Sequence, residues 1–222
     1  MDNVTPSHLT INSPTVDVTY KVPSLVNEGM VCAWSEFVWG HMAKPDECLI
    51  CLRQIWGAKG EYARNDWNSW KDPEVLYGKI CDFVKRSEGD IRHAFAVPGL
   101  LRAGSTHAHR HNIMAVGTIC LDIDRGDIEA NRQKAVEWMG EPGMELFSGG
   151  VTAEGQRKRH LWWRLPIERH HDLNWISALR RDLAVSCGGD TSFERSTQII
   201  RIGGSVHLKG TPRLVEMIHV RR

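Results

Sequence analysis

The stretch that most constrains the fold is Gly117-Thr118-Ile119-Cys120-Leu121-Asp122-Ile123-Asp124. Its small, apolar and β-branched residues are typical of a buried strand that ends in two aspartates spaced i, i+2. Because side chains alternate along a strand, Asp122 and Asp124 project from one face, with their Cα atoms about 6.6 Å apart. Carboxylates this close raise each other's pKa unless a cation lies between them. The pattern suits a site for divalent ions, and equally a strand end whose aspartates are solvated and cap the next helix.

The length and composition narrow the class of protein. A chain of 222 residues can bury a substantial core, as one large domain or two closely packed lobes. It has no apolar run near the ~18 residues that span a bilayer and no secretory apolar segment, so we expect a cytoplasmic protein without membrane contacts. The six cysteines are irregularly spaced, which indicates reduced thiols. Arginine far outnumbers lysine after residue 120, and its planar fork suits phosphate groups in nucleotides or nucleic acid.

The first half of the sequence predicts a mixed set of elements. Residues 1–23 lack a helical period and are predicted to be a flexible arm, with a short strand at Thr15–Val22. Apolar periodicity and turn residues then predict further elements. They are a helix from Ser24 to about His41, a strand at Cys48–Leu52, an aromatic-rich surface loop over 56–72, a helix at Pro73–Arg86 and a strand at His93–Leu101.

Two groups of potential metal ligands occur in this half. Cys48 and Cys51 form a C-x-x-C, but an odd separation sends their sulfurs to opposite faces of a strand, so we interpret them as structural. His107, His109 and His111 alternate and would face one way on a strand. They form either a metal site or a solvated basic loop that contacts phosphates. We favour the loop and predict no structural zinc, because no further ligand is identifiable.

The second half predicts the order β-α-β-β-α-β-β from residue 112 onward. After the two aspartates, the patterns indicate a helix at about 127–139 with Asp127 as its N-cap, a strand at Met144–Phe147 that breaks at Ser148-Gly149-Gly150, a strand at Lys158–Leu165, a helix from Asp172 to about Val185, and strands at Gln198–Ile202 and Leu214–Val220. This order predicts an α+β fold with a ferredoxin-like, or RRM-like, sheet and helices on one face.

Three groups of residues, taken in order, carry a resemblance to a known family. They are Asp122-Ile123-Asp124, then Ser148-Gly149-Gly150 with Arg159-His160-Leu161, then Gly189-Asp190 with Arg201-Ile202-Gly203-Gly204-Ser205 and Lys209-Gly210. Together they resemble the archaeo-eukaryotic primase superfamily, and more narrowly the primase-polymerase domains of phage and plasmid replication proteins (the RepB-prime-like group). In that family Pro is usual where Gly203 stands.

The resemblance covers roughly residues 24–220 and implies the fold and domain organisation. It implies an archaeo-eukaryotic primase fold, in which an RRM-like catalytic sheet is joined to an N-terminal α/β lobe. We therefore expect a flexible arm at 1–23 and a primase-polymerase domain at 24–222, divided into an N-terminal lobe (24–111) and a catalytic lobe (112–222). Relatives commonly join this domain to a helicase, so a helicase domain in a longer protein is a further expectation.

The resemblance also implies an activity and its site. It implies a nucleotidyltransferase that uses two Mg²⁺ or Mn²⁺ ions to make primers from NTPs or dNTPs on a single-stranded DNA template. The metal ligands and catalytic residues would be Asp122, Asp124 and Asp190. Nucleotide-binding residues would be Ser148, His160, Arg201 and Lys209. Candidate contacts to template or phosphate are Arg110, His111, Arg157, Lys158 and Arg159.

Two other functions remain open from the sequence. In a histidine-hydrophobic-histidine nuclease or relaxase, His107-Ala108-His109 would bind the metal, and Tyr20, Tyr62 or Tyr77 would attack DNA. A non-catalytic nucleotide- or DNA-binding module with a decayed site is the other alternative, although the presence of all three aspartates argues against decay.

Overall fold

The computed structural model describes residues 24–42, 47–57 and 59–221, which form four α-helices and twelve β-strands. The helices are α1 (Glu28–Trp39), α2 (Pro73–Gly89), α3 (Ile128–Met139) and α4 (Leu173–Ser186). The strands are β1 (Cys48–Trp56), β2 (Tyr62–Ser69), β3 (His93–Ala96), β4 (Gly99–Arg102), β5 (Ile113–Val116), β6 (Thr118–Ile123), β7 (Met144–Val151), β8 (Arg157–Arg164), β9 (Ile200–Arg201), β10 (Val206–His207), β11 (Arg213–Leu214) and β12 (Glu216–Val220).

Each helix begins at an Asn or Asp whose side chain accepts from a backbone N–H of the first turn. Asn27 caps α1, Asp72 caps α2 just before Pro73, Asp127 caps α3 and Asp172 caps α4. Such caps satisfy amides that have no partner within the helix. The predicted caps Asp127 and Asp172 are thereby confirmed.

The strands form two larger sheets and one short ribbon. The first sheet has the order β5-β4-β1-β3-β9, with β2 also paired to β1. The second sheet has the order β12-β7-β8-β6, and all its pairs are antiparallel. The ribbon joins β10 to β11. Strands β5 and β9 lie after residue 111 in the chain but pair with strands that come before it.

The second sheet has different neighbours on its two faces. Leu121 and Leu161 project from one face into a core shared with Ile176 and Leu183 of α4, which confirms the prediction of helices on one face. Trp162 projects from the opposite face into the core that includes α1 and the first sheet. There it packs edge-to-face on Trp34 of α1, with ring centroids 5.7 Å apart. The second sheet is therefore covered by α3 and α4 on one side and faces the rest of the molecule on the other.

Two predictions in the N-terminal half are wrong. Residues Tyr62–Ser69, predicted as part of a surface loop, form β2 and pair with β1 from Leu49 to Trp56. Strand β2 pairs only with β1, and edge strands of this kind carry exposed polar residues. Its sequence therefore lacks the apolar alternation from which a strand is predicted. The single strand predicted at His93–Leu101 is split into β3 and β4 at Val97-Pro98, where proline has no N–H for a ladder.

Three predictions in the C-terminal half need adjustment. Strand β7 continues through Ser148-Gly149-Gly150 to Val151 instead of breaking there, although its register with β8 shifts between Phe147 and Val151. The strand predicted at Gln198–Ile202 is only two residues long, β9, and it joins the first sheet. The strand predicted at Leu214–Val220 is divided into β11 and β12.

The structure also bears on the predictions for the two cysteines, the N-terminal arm and membrane-spanning helices. Cys48 and Cys51 are buried and belong to different core clusters, as the odd spacing predicts. The arm and the strand predicted at Thr15–Val22 lie outside the described residues. Among the described ranges, no helix is both long and apolar enough to cross a bilayer.

Candidate active site

The paired strands β6 and β8 place Asp122 opposite His160. In their antiparallel register the two residues are direct partners, so both side chains leave the same face of the sheet. His160 Nε2 lies 3.6 Å from Asp122 Oδ1, which is beyond hydrogen-bond distance. The His160 ring also packs on Phe193, with centroids 6.2 Å apart. This face is the one opposite α3 and α4.

Asp190 reaches the same point because two glycines precede it. Its backbone N–H donates to the Asp122 carbonyl at 2.9 Å, which ties the segment after α4 to β6. A Cβ on Gly189 would lie 2.4 Å from Leu121 Cδ1, so only glycine permits this approach. The Asp190 carboxylate accepts from the backbone N–H and the hydroxyl of Ser192, at 2.9 and 2.7 Å. The third predicted aspartate is therefore held in place by its own loop.

The seven residues predicted as catalytic or nucleotide-binding line one cleft of about 570 Å³. Strands of the second sheet supply Asp122, Ser148 and His160, strand β9 of the first sheet supplies Arg201, and loop segments supply the others. The predicted residues in its lining are Asp122, Asp124, Asp190, Ser148, His160, Arg201 and Lys209. The cleft therefore brings together residues that lie up to 87 positions apart in the sequence, from 122 to 209.

The acidic part of the cleft carries an unpartnered carboxylate. Asp122 Oδ1 is buried and has no hydrogen-bond partner among the described residues. Burial, followed by the negative charges of Asp124 and Asp190, raises the pKa of Asp122 to about 7. The Lys158 ammonium lies 3.8 Å from Asp124 Oδ2 and offsets part of this negative charge.

The acidic group fits divalent cations by its chemistry. Within the described ranges, no three His, Cys, Asp or Glu side chains stand in a ready-made metal-binding arrangement. The three aspartate carboxylates, including the unpartnered Asp122 Oδ1, nevertheless provide hard oxygen donors, which Mg²⁺ and Mn²⁺ prefer. Asp122, Asp124 and Asp190 are therefore the residues that could hold such ions.

Another part of the cleft is basic, and contacts with the first sheet hold its arginine in place. Arg201 Nη1 donates to His93 Nδ1 at 3.0 Å, and its guanidinium lies 4.8 Å from the centre of the Phe95 ring. Burial lowers the pKa of Arg201 to about 10, so it stays charged near neutral pH. Burial and Arg201 together lower the pKa of His160 to about 3 and that of His207 to about 4, so both are neutral.

The turn between β9 and β11 needs its glycines for close packing. A Cβ on Gly203 would lie 2.8 Å from the Trp34 ring, which explains why glycine stands where the primase family usually has proline. A Cβ on Gly149, whose φ is +82°, would lie 2.4 Å from His207 Cβ. The bend in β7 therefore fits directly against the turn that carries His207 and Lys209.

The predicted template contacts do not share one location. Lys158 lines the cleft. Arg159 projects from the opposite face of the sheet and bonds to Glu129 and Glu145. Arg157 bonds to Glu216, and its guanidinium lies 3.5 Å from the Phe147 ring centre. Arg110 bonds to Asn174 at the start of α4, and His111 stacks on His109; neither residue lines the cleft.

Some lining residues were not predicted from the sequence. Phe95, Phe193, Gln198, His207 and Arg213 also line the cleft. His207 and Arg213 flank Lys209 in the turn and could have been inferred from that motif. Phe95 and its neighbour His93, on a strand of the first sheet, give no signal in the sequence.

The described tyrosines do not support the nuclease alternative. Tyr77 packs on the buried Trp70 of the N-terminal core, and burial raises its pKa to about 12. Tyr62 stacks on Trp56. His107 and His109 are exposed and stack on each other with centroids 5.3 Å apart. Tyr20 lies outside the described residues.

Comparison with known proteins reveals similar solved structures. The sequence matches no protein-family model and no curated protein. The structure is similar to the AEP domain of the cyanophage S-2L primase-polymerase (PrimPol), with a TM-score of 0.54 and 19% identity over 78% of this chain and 81% of that one.

Two structures of the primase RepB′ are also similar at 13% identity. The first has a TM-score of 0.59 over 88% of this chain and 57% of that one, so this chain spans little more than half of that protein. The second, its catalytic domain in complex with initiator DNA, has a TM-score of 0.57 over 88% and 86%. The chain therefore has the α+β fold of these primase and primase-polymerase domains, which is the fold that the resemblance of its motifs predicts.

Proposed function

We propose that this chain is a template-directed nucleotidyltransferase, a DNA primase-polymerase that makes primers on single-stranded DNA during phage or plasmid replication. The observation that carries the proposal is the single cleft lined by three aspartates at one part and by Arg201 and Lys209 at another. A primase must bind a triphosphate beside a metal-assisted reaction centre, and this cleft offers both charges side by side.

The acidic residues would hold the metal ions. Asp122, Asp124 and Asp190 would bind two Mg²⁺ or Mn²⁺ ions. When bound, such ions would activate the 3′-hydroxyl of the growing strand and stabilise the charge that develops on the departing pyrophosphate. The raised pKa of Asp122 supports this role, because a buried, unpartnered carboxylate that is costly to ionise alone gains most from a cation.

The basic residues would bind the incoming nucleotide. Its triphosphate carries about four negative charges near neutral pH, which Arg201 and Lys209 would partly neutralise. Arg201 is already oriented by its bond to His93 and its contact with Phe95, so little freedom is lost when it binds. His160, neutral at this pH, would donate one N–H to a phosphate oxygen, with the Ser148 hydroxyl beside it.

A primer-synthesis assay tests the proposal. The chain is incubated with single-stranded DNA, Mg²⁺ or Mn²⁺, and either NTPs or dNTPs, and products are separated by size. We expect new strands from the wild type and from Glu137→Gln, an exposed carboxylate on α3 that serves as control. The double variant Asp122→Asn/Asp124→Asn should make none, and synthesis by it at the wild-type rate would contradict the proposal. Covalent capture of a DNA 5′-phosphate on a tyrosine would point instead to the nuclease alternative.

A further inference from the structure

A second groove, of about 410 Å³, lies between α4 and the segment that leads to β9. One side is formed by α4 and by Arg110, which bonds to Asn174. The other side is formed by residues 194–197. Its lining residues are Arg110, Asn174, Ser177, Ala178, Arg181, Glu194, Arg195, Ser196 and Thr197. We refer to it below as the arginine groove.

The arginine groove is positively charged and rich in hydrogen-bond donors. It contains Arg110, Arg181 and Arg195, all exposed, against a single acidic lining residue, Glu194. The closest approach of a carboxylate to Arg181 is that of its neighbour Asp182, at 3.9 Å and exposed to solvent. Exposed pairs of this kind are worth little, so Arg181 remains available to an anionic ligand. Arg110 keeps the donors that do not bond to Asn174.

A buried arginine fixes one wall and adds to its charge. Arg180 is 2% exposed and donates from Nη1 to the Arg195 carbonyl and from Nη2 to the Thr118 carbonyl, at 3.1 and 2.9 Å. Among the described residues, no carboxylate pairs with it. An uncompensated buried cation is costly unless a ligand or another element supplies negative charge.

Ser196 adds an unused hydrogen-bonding group to the same wall. It lines the groove, is 2% exposed, and its hydroxyl has no hydrogen-bond partner among the described residues. Buried polar groups normally have a partner, and exceptions need an explanation. A phosphate oxygen, or a water held by one, would supply it.

The arginine groove adjoins the candidate active site along one continuous stretch of chain. Residues 194–197 line the groove, whereas their neighbours Phe193, Gln198 and Ile199 line the cleft. One short segment of chain, residues 193–199, therefore belongs to the walls of both the groove and the cleft.

We propose that the arginine groove binds the sugar-phosphate backbone of a single-stranded nucleic acid and leads it to the cleft; this inference rests on the proposed function, for which the strand would be the template. Guanidinium groups spaced along a groove suit successive phosphates, and contacts to the backbone carry no sequence preference.

A binding experiment without metal separates this inference from catalysis. A fluorescent single-stranded oligodeoxythymidine is titrated with the chain in EDTA, and anisotropy is followed at several salt concentrations. The variant is Arg110→Ala/Arg181→Ala/Arg195→Ala, which leaves the backbone carbonyl bound by Arg180 in place. The control removes the same charge from exposed residues of the N-terminal half, as Arg64→Ala/Lys79→Ala/Arg86→Ala. Thermal melts establish that both variants are folded.

We expect the groove variant to bind at least about tenfold more weakly and its salt slope to fall by about 2, since each lost single-strand phosphate contact removes roughly 0.7. The control should bind like the wild type. Equal losses in both variants, an unchanged groove variant, or a wild type that does not bind would each overturn the inference. A chain that makes primers while its groove variant binds normally would refute only the groove. A chain that makes none but loses binding in the groove variant would refute only the polymerase.

Discussion

Each face of the second sheet carries a buried carboxylate, one that is paired with arginines and one that has no hydrogen-bond partner within the part of the chain that the structure describes. On the face toward α3, Glu145 is buried between Arg132 and Arg159, with Arg132 Nε 3.0 Å from its carboxylate. On the other face, Asp122 lies opposite His160 and has no hydrogen bond to its Oδ1 among the described residues. Both carboxylates belong to the same sheet, yet one is satisfied by the protein and the other is not.

The difference separates a structural use of charge from a functional one. The Glu145 cluster is internally neutralised, so removing Glu145 takes a buried partner from both Arg132 and Arg159. The aspartate cluster concentrates like charges, so its stability improves when a carboxylate is removed or a cation is added. The same kind of substitution should therefore have opposite consequences on the two faces.

The largest expected effect is on activity at the open face. Asp122→Asn, Asp124→Asn or Asp190→Asn should each lower primer synthesis on the order of a thousandfold or more, because a lost metal ligand removes several kcal/mol of transition-state stabilisation. Unfolding midpoints should be unchanged or higher. Synthesis rates and thermal melts of the three variants, measured beside Glu137→Gln, test this expectation. A variant that is inactive because it is unfolded would contradict the functional role of these aspartates.

The next effect is on stability at the helix-covered face. Glu145→Gln should lower the free energy of unfolding by about 1.5–3 kcal/mol, the scale of a hydrogen bond to a charged group, because Arg132 and Arg159 lose their buried partner. The matched control is Glu216→Gln, which breaks the exposed pair with Arg157 on the same sheet and should cost less than about 1 kcal/mol. Urea denaturation measures both. If both substitutions lower the free energy of unfolding by the same amount, the burial of Glu145 does not determine its contribution to stability.

The pH dependence of stability sharpens the comparison in metal-free protein. The pKa of Asp122 is about 7 in the folded state against 3.8 as its ordinary value. Between these values the folded state holds a proton that the unfolded state has lost, so stability should fall as pH rises from about 4 to 7. Each pKa unit corresponds to about 1.4 kcal/mol, a total of a few kcal/mol. Denaturation in EDTA should show this slope in the wild type and a flatter profile in Asp122→Asn.

Residue order and strand alternation predicted much of the site. The spacing of Asp122 and Asp124, the glycines before Asp190 and the motif around Arg201 and Lys209 lead to one cleft. Alternation along β8 also separates two of the predicted template contacts. Lys158 is two residues from His160, so it projects from the same face and lines the cleft, whereas Arg159 faces α3. Applying this period to the template contacts would have placed Arg159 on the face toward α3, away from the cleft.

Other parts of the site depend on contacts between distant segments. His93 and Phe95 reach Arg201 because β3 pairs with β9, a two-residue strand with no periodicity of its own. The arginine groove similarly joins a loop before β5, a face of α4 and the segment after Asp190. Such pairings are set by tertiary packing, which local pattern does not contain. The strand β2 was not predicted because an edge strand needs little hydrophobic alternation in its sequence.

A smaller effect is expected on nucleotide affinity. Arg201→Ala and His160→Ala should each weaken nucleotide binding by about 1.5–3 kcal/mol, the scale of a charge-assisted hydrogen bond. Binding of single-stranded template should change little. Nucleotide titrations beside template titrations measure both quantities. Normal nucleotide affinity with weakened template binding would move these residues to the template path and break the assignment.

The smallest effect concerns the shape of the Arg201 side chain, tested by Arg201→Lys. Lysine keeps the positive charge but has no planar fork, so it cannot both bond to His93 and lie against Phe95 while it binds phosphate. We expect nucleotide affinity between those of Arg201→Ala and the wild type, with a remaining deficit of about 1 kcal/mol. Lys209→Arg is the matched control and should bind nearly as the wild type, because no hydrogen bond or ion pair orients that side chain among the described residues. Complete rescue by Arg201→Lys would mean that Arg201 acts only as a point charge and that its orientation by His93 is irrelevant to nucleotide binding.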